Sequence, residues 1–121
     1  MKTMIISNDN ELINIIKNLE VIPENQLGIY SENPDALEIM SQVCTEHPNT
    51  LIIDDDFTKP ESAHVLGAIR KVNNKVKIVF ISSDSSVELG REVSPVGILY
   101  HAVKPLDKEE INDLINSINK Q

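Results

Sequence analysis

The sequence predicts a single α/β domain, (βα)5, in which five strands alternate with five helices and form one parallel sheet with helices on both faces. Short apolar runs alternate with amphipathic segments of helical period along the whole chain. The run at residues 50–53 lacks polar alternation, which is typical of a strand covered on both faces. A length of 121 residues suits one domain with one core, so we expect the domain to span residues 1–121.

The first two strand–helix units occupy roughly the first 48 residues. Apolar residues 4–6 predict the first strand, and residues 27–30 predict a weaker second strand. Asn8 with Glu11 predicts a capped start of the first helix, and Asn33 before Pro34 predicts the start of the second. The expected apolar faces of these helices are Leu12, Ile15, Ile16 and Leu19 in the first, and Leu37, Met40, Val43 and Cys44 in the second.

The remaining three units follow with the same alternation. Residues 50–53, 76–81 and 97–103 predict the third, fourth and fifth strands. A third helix is expected over residues 61–72, with inward positions at Val65, Leu66, Ile69 and Val72. Residues 85–94 are polar and contain Gly90, which favours a short or poorly formed fourth helix. Asp107 with Glu110 predicts a capped last helix that runs to the C-terminus.

Composition narrows the class of protein. The formal net charge of -8 argues against nucleic acid or an anionic membrane as a direct partner, since both select positive surfaces. Cys44 is the only cysteine, which excludes an intrachain disulfide, and its apolar neighbours favour a buried thiol. The N-terminal apolar run is too short for a signal peptide, and no run approaches the length of a membrane span. We therefore expect a cytoplasmic protein.

Polar side chains follow the predicted strands at the edge where ligands of such sheets bind. The first strand delivers Ser7, Asn8 and Asp9, and the third delivers Asp54, Asp55 and Asp56. The fourth strand delivers Ser82 and Ser83, and the fifth delivers Lys104. These residues can come together only if the sheet forms.

This set of residues suits phosphoryl transfer to a carboxylate. Mg²⁺ is usually held by one or two carboxylates together with phosphate and water. A lysine and a hydroxyl can balance the remaining charge on phosphoryl oxygens, and a carboxylate can serve as the nucleophile. The three consecutive aspartates alone could be a solvated turn, a metal site, or one reactive acid with two bystanders.

The sequence resembles the receiver domain of two-component response regulators over essentially its whole length. The resemblance rests on Asp54 ending the third strand, Ser82 ending the fourth, and Lys104-Pro105 following the fifth. The spacing from Gly97 to Lys104 and the stretch "Asp35-Ala36-Leu37" fit the family's pattern as well. The resemblance implies the flavodoxin-like strand order 2-1-3-4-5.

By this resemblance, Asp54 accepts a phosphoryl group from a histidine kinase or a phosphotransfer protein with the help of Mg²⁺. Ser82 and Lys104 contact the phosphoryl group and report its presence to an output partner protein or effector domain. His101 occupies the switch position of the fifth strand. Asp56 ligates the metal through its backbone carbonyl, beside the Asp54 carboxylate. The family also implies a possible homodimer through the fourth helix, fifth strand and fifth helix.

The sequence departs from the family at the acidic pair that ends the first strand. The register of the first helix aligns Ser7 and Asn8 with that pair, so we expect weakened Mg²⁺ binding, with Asn8 offering an uncharged oxygen. The Asp56 side chain could partly restore the missing charge, whereas Asp55 is expected to be a solvated loop acid. Thr58 replaces the family's proline, so the loop after Asp54 is expected to differ.

Two functions remain open from the sequence. The first is a phosphorylation-dependent or constitutive switch, either stand-alone or part of a longer regulator, acting as a signalling module rather than an enzyme. The alternative is a pseudo-receiver, a non-phosphorylated interaction or dimerisation module. An aspartate-based phosphatase would need further acids and a cap domain, and a flavin-binding protein would need a phosphate-binding loop after the first strand.

Overall fold

A computed structural model of the chain describes residues 2–120. Within this range one parallel five-stranded sheet has the order β2-β1-β3-β4-β5, which confirms the predicted order 2-1-3-4-5. The central strand β3 pairs with β1 on one side and with β4 on the other. The strands are β1 (Thr3–Ile6), β2 (Leu27–Tyr30), β3 (Thr50–Asp54), β4 (Lys77–Ser82) and β5 (Tyr100–Val103).

The helices follow the strands in the predicted alternation, with one short addition directly after β3. Short 3-10 turns at Glu24–Gln26 and Ser94–Val96 lead into β2 and towards β5. The α-helices of the described residues are α1 (Asn10–Lys17), α2 (Ala36–Glu46), α3 (Asp55–Thr58), α4 (Ser62–Val72), α5 (Val87–Val93) and α6 (Lys108–Asn119). The predicted continuation of the last helix to residue 121 falls partly outside the described residues.

The core consists of two apolar clusters, one on each face of the sheet. Alternate residues of each strand point to opposite faces, so Ile53 belongs to one cluster and its neighbour Ile52 to the other. The cluster containing Ile53 packs against α2 and α4, and the cluster containing Ile52 packs against α1 and α6. Both faces are therefore covered, and the doubly wound arrangement predicted from the sequence is confirmed.

The caps of the first two long helices lie one and two residues later than predicted. Asp9, not Asn8, caps α1, and its carboxylate accepts from the N–H groups of Glu11 and Leu12. Asp35, not Asn33, caps α2 in the same way. In both cases the carboxylate lies where it can accept from the second and third helical N–H groups, which is the geometry that defines the cap.

The predicted apolar face of α2 is partly wrong. Ile39 and Val43 are buried, whereas Leu37 is 69% exposed and Cys44 is exposed. The buried positions of α2 are residues 39 and 43, which lie four residues apart and therefore on one face of the helix. Cys44 lies outside this buried face and is exposed, so the expectation of a buried thiol is wrong. Val72, at the end of α4, is also partly exposed.

The fifth strand begins later than predicted. The sequence predicted a strand from residue 97, but residues 94–97 form a turn and β5 begins at Tyr100. Gly97 adopts a left-handed conformation, with φ of 85°, and closes the 3-10 turn at Ser94–Val96. The guanidinium of Arg70 holds this turn, because it donates to the carbonyls of Val96 and Gly97, each at 2.8 Å. The strand therefore begins only at Tyr100. The fourth predicted helix is indeed short, as α5.

Candidate phosphoryl-acceptor pocket

Asp54 lies at the carboxyl end of β3, and its side chain is fully buried. Its Oδ2 accepts from the hydroxyl of Ser7 at 2.7 Å and from the ammonium of Lys104 at 2.9 Å. Its Oδ1 accepts from the backbone N–H of Asp56 at 3.0 Å, and through this bond Asp54 caps α3. Donors that follow β1, β3 and β5 thus converge on one carboxylate at the edge predicted to carry the site.

Lys104 is the centre of the pocket. Its ammonium contacts Asp9 and Asp54 at 2.9 Å and Asp56 at 3.0 Å. The backbone N–H of Lys104 donates to the carbonyl of Ser82 at 2.8 Å, which places the lysine immediately beyond the paired part of β5. Burial by itself would lower the pKa of Lys104, but the hydrogen bonds to its three carboxylates outweigh burial and raise that pKa above its usual value.

Asp9 joins the end of β1 to both α1 and Lys104. Its Oδ1 caps the helix, while its Oδ2 accepts from Lys104. Its own N–H donates to the Ser7 hydroxyl at 3.0 Å. The hydrogen bond from Lys104 lowers the pKa of Asp9, with the helix N–H groups contributing further and burial opposing them. The negative charge absent at Ser7 and Asn8 is thus supplied one residue later.

Asp56 closes the pocket on the side of β4. Its Oδ2 accepts from the Ser83 hydroxyl at 2.5 Å and faces Lys104, and its Oδ1 faces Lys59 at 3.2 Å. The hydrogen bond from Ser83 is the largest cause that lowers the pKa of Asp56 to about 2, and the two lysines add to it while burial opposes it. The Asp56 side chain therefore adds charge to the pocket, while the metal role of its backbone carbonyl stays a prediction.

Ser82 is buried at the end of β4, and its hydroxyl contacts Asp84 and His101. The hydroxyl donates to the carbonyl of Asp84 at 2.7 Å and lies 2.9 Å from Nε2 of His101. Since one hydroxyl carries one hydrogen, Nε2 of His101 is the donor in that second contact. The role of Ser82 at a phosphoryl group stays a prediction.

His101 lies on β5, where its ring packs at a tilt against Phe80 with centroids 5.1 Å apart. His101 is exposed, and β5 is an edge strand of the sheet. Its switch role also stays a prediction. Its bond to Ser82 nevertheless links the two residues that the resemblance assigns to signal output.

Asn8 and Asp55 differ from their expectations. Asn8 is exposed and does not cap α1, and its predicted metal role stays untested. Asp55 is only 4% exposed, so the expectation of a solvated loop acid is wrong. Helix α3 turns its carboxylate inward, where it accepts from the Ser62 hydroxyl at 2.5 Å. Thr58 lies 2.7 Å from the same hydroxyl, so the loop after Asp54 is a packed helical turn.

The pocket suits a divalent cation in the chemistry of its donors. Asp9, Asp54 and Asp56 present carboxylate oxygens, the ligands that Mg²⁺ prefers, to a common point. That point holds the ammonium of Lys104. Over residues 2–120, no group of three or more Asp, Glu, His or Cys side chains is itself arranged to hold a metal ion. The carboxylate oxygens therefore fit Mg²⁺ in type, and the ammonium of Lys104 lies between them.

Three residues of the pocket were missed or set aside in the sequence. The register of the first helix aligns Ser7 and Asn8 with the family's acidic pair and so passes over Asp9, although aspartate before helical residues is an equally good cap signal. Ser7 was read only as a missing acid, whereas its hydroxyl binds Asp54 directly. Ser83 lies at a predicted strand end, but no pattern in the sequence indicates its contact with Asp56.

The sheet order β2-β1-β3-β4-β5 is the flavodoxin-like fold of receiver domains, as the sequence resemblance implied, and in it Asp54 ends β3 while Lys104 follows β5. Solved structures with this fold include a response regulator from Thermotoga maritima, with a TM-score of 0.78 and 15% identity over 100% of this chain and 99% of that one. A CheY-like receiver domain from Methanospirillum hungatei has a TM-score of 0.75 and 17% identity over 98% and 96% of the two chains.

Among curated proteins, sporulation initiation phosphotransferase F of Bacillus subtilis is similar to this chain. The two are 20% identical over 81 residues, which are 67% of this chain and 65% of that protein. A scan against protein-family models found no match. None of the helices within residues 2–120 is long and apolar enough to cross a membrane.

Proposed function

We propose that this chain is a receiver domain that accepts a phosphoryl group on Asp54 from a histidine kinase or a phosphotransfer protein. The observation that carries the proposal is the 2.9 Å contact between the Lys104 ammonium and Oδ2 of Asp54, at the carboxyl edge of the receiver fold. The similarity to a protein named a phosphotransferase supports the same chemistry. We propose a signalling module of residues 1–121 rather than an enzyme, with a cytoplasmic location.

In the transfer step, a carboxylate oxygen of Asp54 forms a bond to phosphorus as the bond from phosphorus to the donor's histidine nitrogen breaks. The electron pair of the broken bond returns to the imidazole nitrogen. Lys104, already beside Asp54, would neutralise the phosphoryl oxygens. Mg²⁺, when bound by Asp9, Asp54 and Asp56, supplies further positive charge for these oxygens. Asn8 and the Asp56 carbonyl stay additional candidates for ligands.

Asp54 must be released before it can react. It has no exposed surface, and its Oδ2 is held by both Ser7 and Lys104. The residues around it are accessible, because Asp9 and Lys104 line a cleft of about 160 Å³ and Asp56 and Ser83 line one of about 410 Å³. A donor can therefore approach the pocket, and rearrangement of Ser7 and Lys104 would uncover the acceptor.

The output would start at Ser82 and His101. If Ser82 turned towards a phosphoryl group, its bonds to Asp84 and His101 would break, and His101 would be free to move. We propose that an output partner protein, an effector domain or a second copy of the chain reads this change, without direct contact with nucleic acid or membrane. The formal charge of -8 supports the last point.

A small phosphodonor tests the proposal. Incubating the chain with acetyl phosphate and Mg²⁺ should add the mass of one phosphoryl group, detected by intact-protein mass spectrometry. Asp54→Asn should abolish the adduct, whereas the matched variant Asp55→Asn should retain it, because Asp55 faces Ser62. Beryllofluoride should bind the wild-type chain and not Asp54→Asn. An adduct that persists in Asp54→Asn, or none in the wild type, would contradict the proposal.

The pseudo-receiver is the second candidate, favoured by one specific observation. Ser7 replaces an expected acid and donates to Oδ2 of Asp54 at 2.7 Å, so the acceptor oxygen is held by a neutral donor as well as by Lys104. Such a carboxylate could serve only to hold the pocket together. Absence of any adduct with acetyl phosphate at millimolar Mg²⁺ would favour this function.

A further inference from the structure

The three carboxylates around Lys104 are oriented alike. Asp9, Asp54 and Asp56 each turn Oδ2 towards the ammonium, at 2.9, 2.9 and 3.0 Å. The ammonium is therefore an internal cation at the point where three negative charges meet, one from the cap of α1 and two from the β3–α3 junction.

The opposite oxygens are engaged elsewhere. Oδ1 of Asp9 accepts from two N–H groups of α1, and Oδ1 of Asp54 accepts from the N–H of Asp56. Oδ1 of Asp56 faces Lys59 at the rim of the pocket, where the lysine side chain is 61% exposed. A cation that entered among the three acids would therefore have to use the same Oδ2 atoms that bind Lys104.

We propose that Lys104 and a divalent cation compete for these three oxygens, so that the chain binds Mg²⁺ only by displacing its own lysine. An ammonium and a dication a few ångströms apart repel each other strongly in a partly buried site. Mg²⁺ would bind these oxygens directly, at about 2.0–2.1 Å, around the point that the ammonium occupies. Lys104 is thus a built-in counter-ion that keeps the pocket neutralised until metal binds.

Ser7 strengthens this competition. A carboxylate at position 7 would add a fourth acid that could bind metal while Lys104 kept its partners. The hydroxyl instead donates to Oδ2 of Asp54, the same atom that binds Lys104. With serine at position 7, a divalent cation finds no additional acid there. It must use Asp9, Asp54 and Asp56, which already bind Lys104.

The inference rests on the proposed function only for the identity of the cation, and it does not require Asp54 to be phosphorylated. All its tests omit a phosphodonor. A chain with competitive metal binding but no acyl phosphate would contradict the proposed function alone. A chain that forms the phosphate but binds metal without moving Lys104 would contradict this inference alone.

The first test is titration with Mg²⁺ by calorimetry. Lys104→Met should bind Mg²⁺ about tenfold more tightly than the wild type or better, because the competing charge is gone. The matched variant Lys59→Met removes a lysine whose ammonium contacts the rim oxygen of Asp56. It should change the affinity by no more than about twofold, as expected of an exposed pair. Equal affinities of Lys104→Met and the wild type would overturn the inference.

A second measurement covers the case in which Lys104→Met unfolds, since it leaves three acids unpaired. Millimolar Mg²⁺ should then refold the variant, because a ligand that binds the folded state stabilises it. Thermal unfolding followed by circular dichroism reports this. A variant that stays unfolded with Mg²⁺ would contradict the inference.

The wild-type chain offers a direct readout. As Mg²⁺ binds, the side-chain methylene and ammonium NMR signals of Lys104 should move towards those of a free lysine, while those of Lys59 should move less. Metal binding with an unmoved Lys104 signal would overturn the inference.

Discussion

At the scale of single residues, Asp54 is held by donors that are far apart in the sequence. Ser7 is 47 residues away and Lys104 is 50 residues away, yet both bind Oδ2 of Asp54. A buried carboxylate needs such partners, because an unpaired charge in the interior is costly. The candidate acceptor is therefore also a structural element of the pocket, and its release has an energetic cost.

Replacing Ser7 with alanine tests this structural role. The Ser7→Ala variant should lose about 1–3 kcal/mol of unfolding free energy, because a buried hydrogen bond to a charged group is removed. Ser83→Ala is the control, since Ser83 donates to the partly exposed Asp56 instead. Urea unfolding measures both values. A loss in Ser7→Ala no greater than that in Ser83→Ala would contradict the role assigned to Ser7.

At the scale of elements, α1 is coupled to the pocket through a single side chain. Asp9 caps α1 with one oxygen and binds Lys104 with the other. The sequence predicted the strand, the helix and the polar turn between them, but placed the cap at Asn8. Both residue types cap helices well, so propensity could not choose between neighbouring positions. Asp9, the residue that caps α1, also contacts Lys104, which directly follows β5 and is distant in the sequence.

Substitutions at Asp9 separate its two roles. Asp9→Ala should cost about 1 kcal/mol or more of unfolding free energy, because both the cap and the ion pair are lost. Asp9→Asn should cost less, since an amide oxygen can still cap the helix while the charge is removed. Asn8→Ala should stay within about 0.5 kcal/mol of the wild type, as expected of an exposed residue. Urea unfolding of the three variants gives the order, and a larger loss in Asn8→Ala would restore Asn8 as the cap.

At the scale of the whole molecule, a cluster of charged side chains lies at one edge of a sheet whose two faces are covered by an aliphatic core. The two apolar clusters cover both faces of the sheet, while Asp9, Asp54, Asp56 and Lys104 gather where β1, β3 and β5 end. The chain carries a formal charge of -8, so these ion pairs also reduce the repulsion among acids at this edge. The pocket therefore links global stability to pH.

Stability should fall as the pH drops below about 4. The pKa of Asp56 is about 2 in the folded chain, below its ordinary value of 3.8, and that of Asp9 is lowered in the same direction. A lowered pKa means that the carboxylate stabilises the fold above its ordinary pKa, and that this contribution disappears as the pH falls through the folded value. The pKa of Lys104 is raised instead of lowered, so its contribution to stability is complete at neutral pH and is lost only at strongly alkaline pH.

Urea unfolding at a series of pH values between 5 and 2 measures this dependence. The unfolding free energy should fall less steeply with decreasing pH in Asp56→Asn, because the amide at that position does not titrate. Equal slopes in the wild type and Asp56→Asn would show that Asp56 does not contribute.

The sequence by itself determined the alternation of strands and helices, the parallel sheet and the edge at which Asp54 and Lys104 lie. These features follow from local periodicity and from the rule that successive parallel strands end on the same side, both of which act over short distances. Only the tertiary structure decided that Asp9 rather than Asn8 enters the pocket, that Asp55 turns inward and that Ser7 binds the acceptor. Each of these depends on a partner in another element, and a difference of one residue reverses the direction of a side chain. Neighbouring polar residues look alike in sequence, and packing against distant elements selects between them.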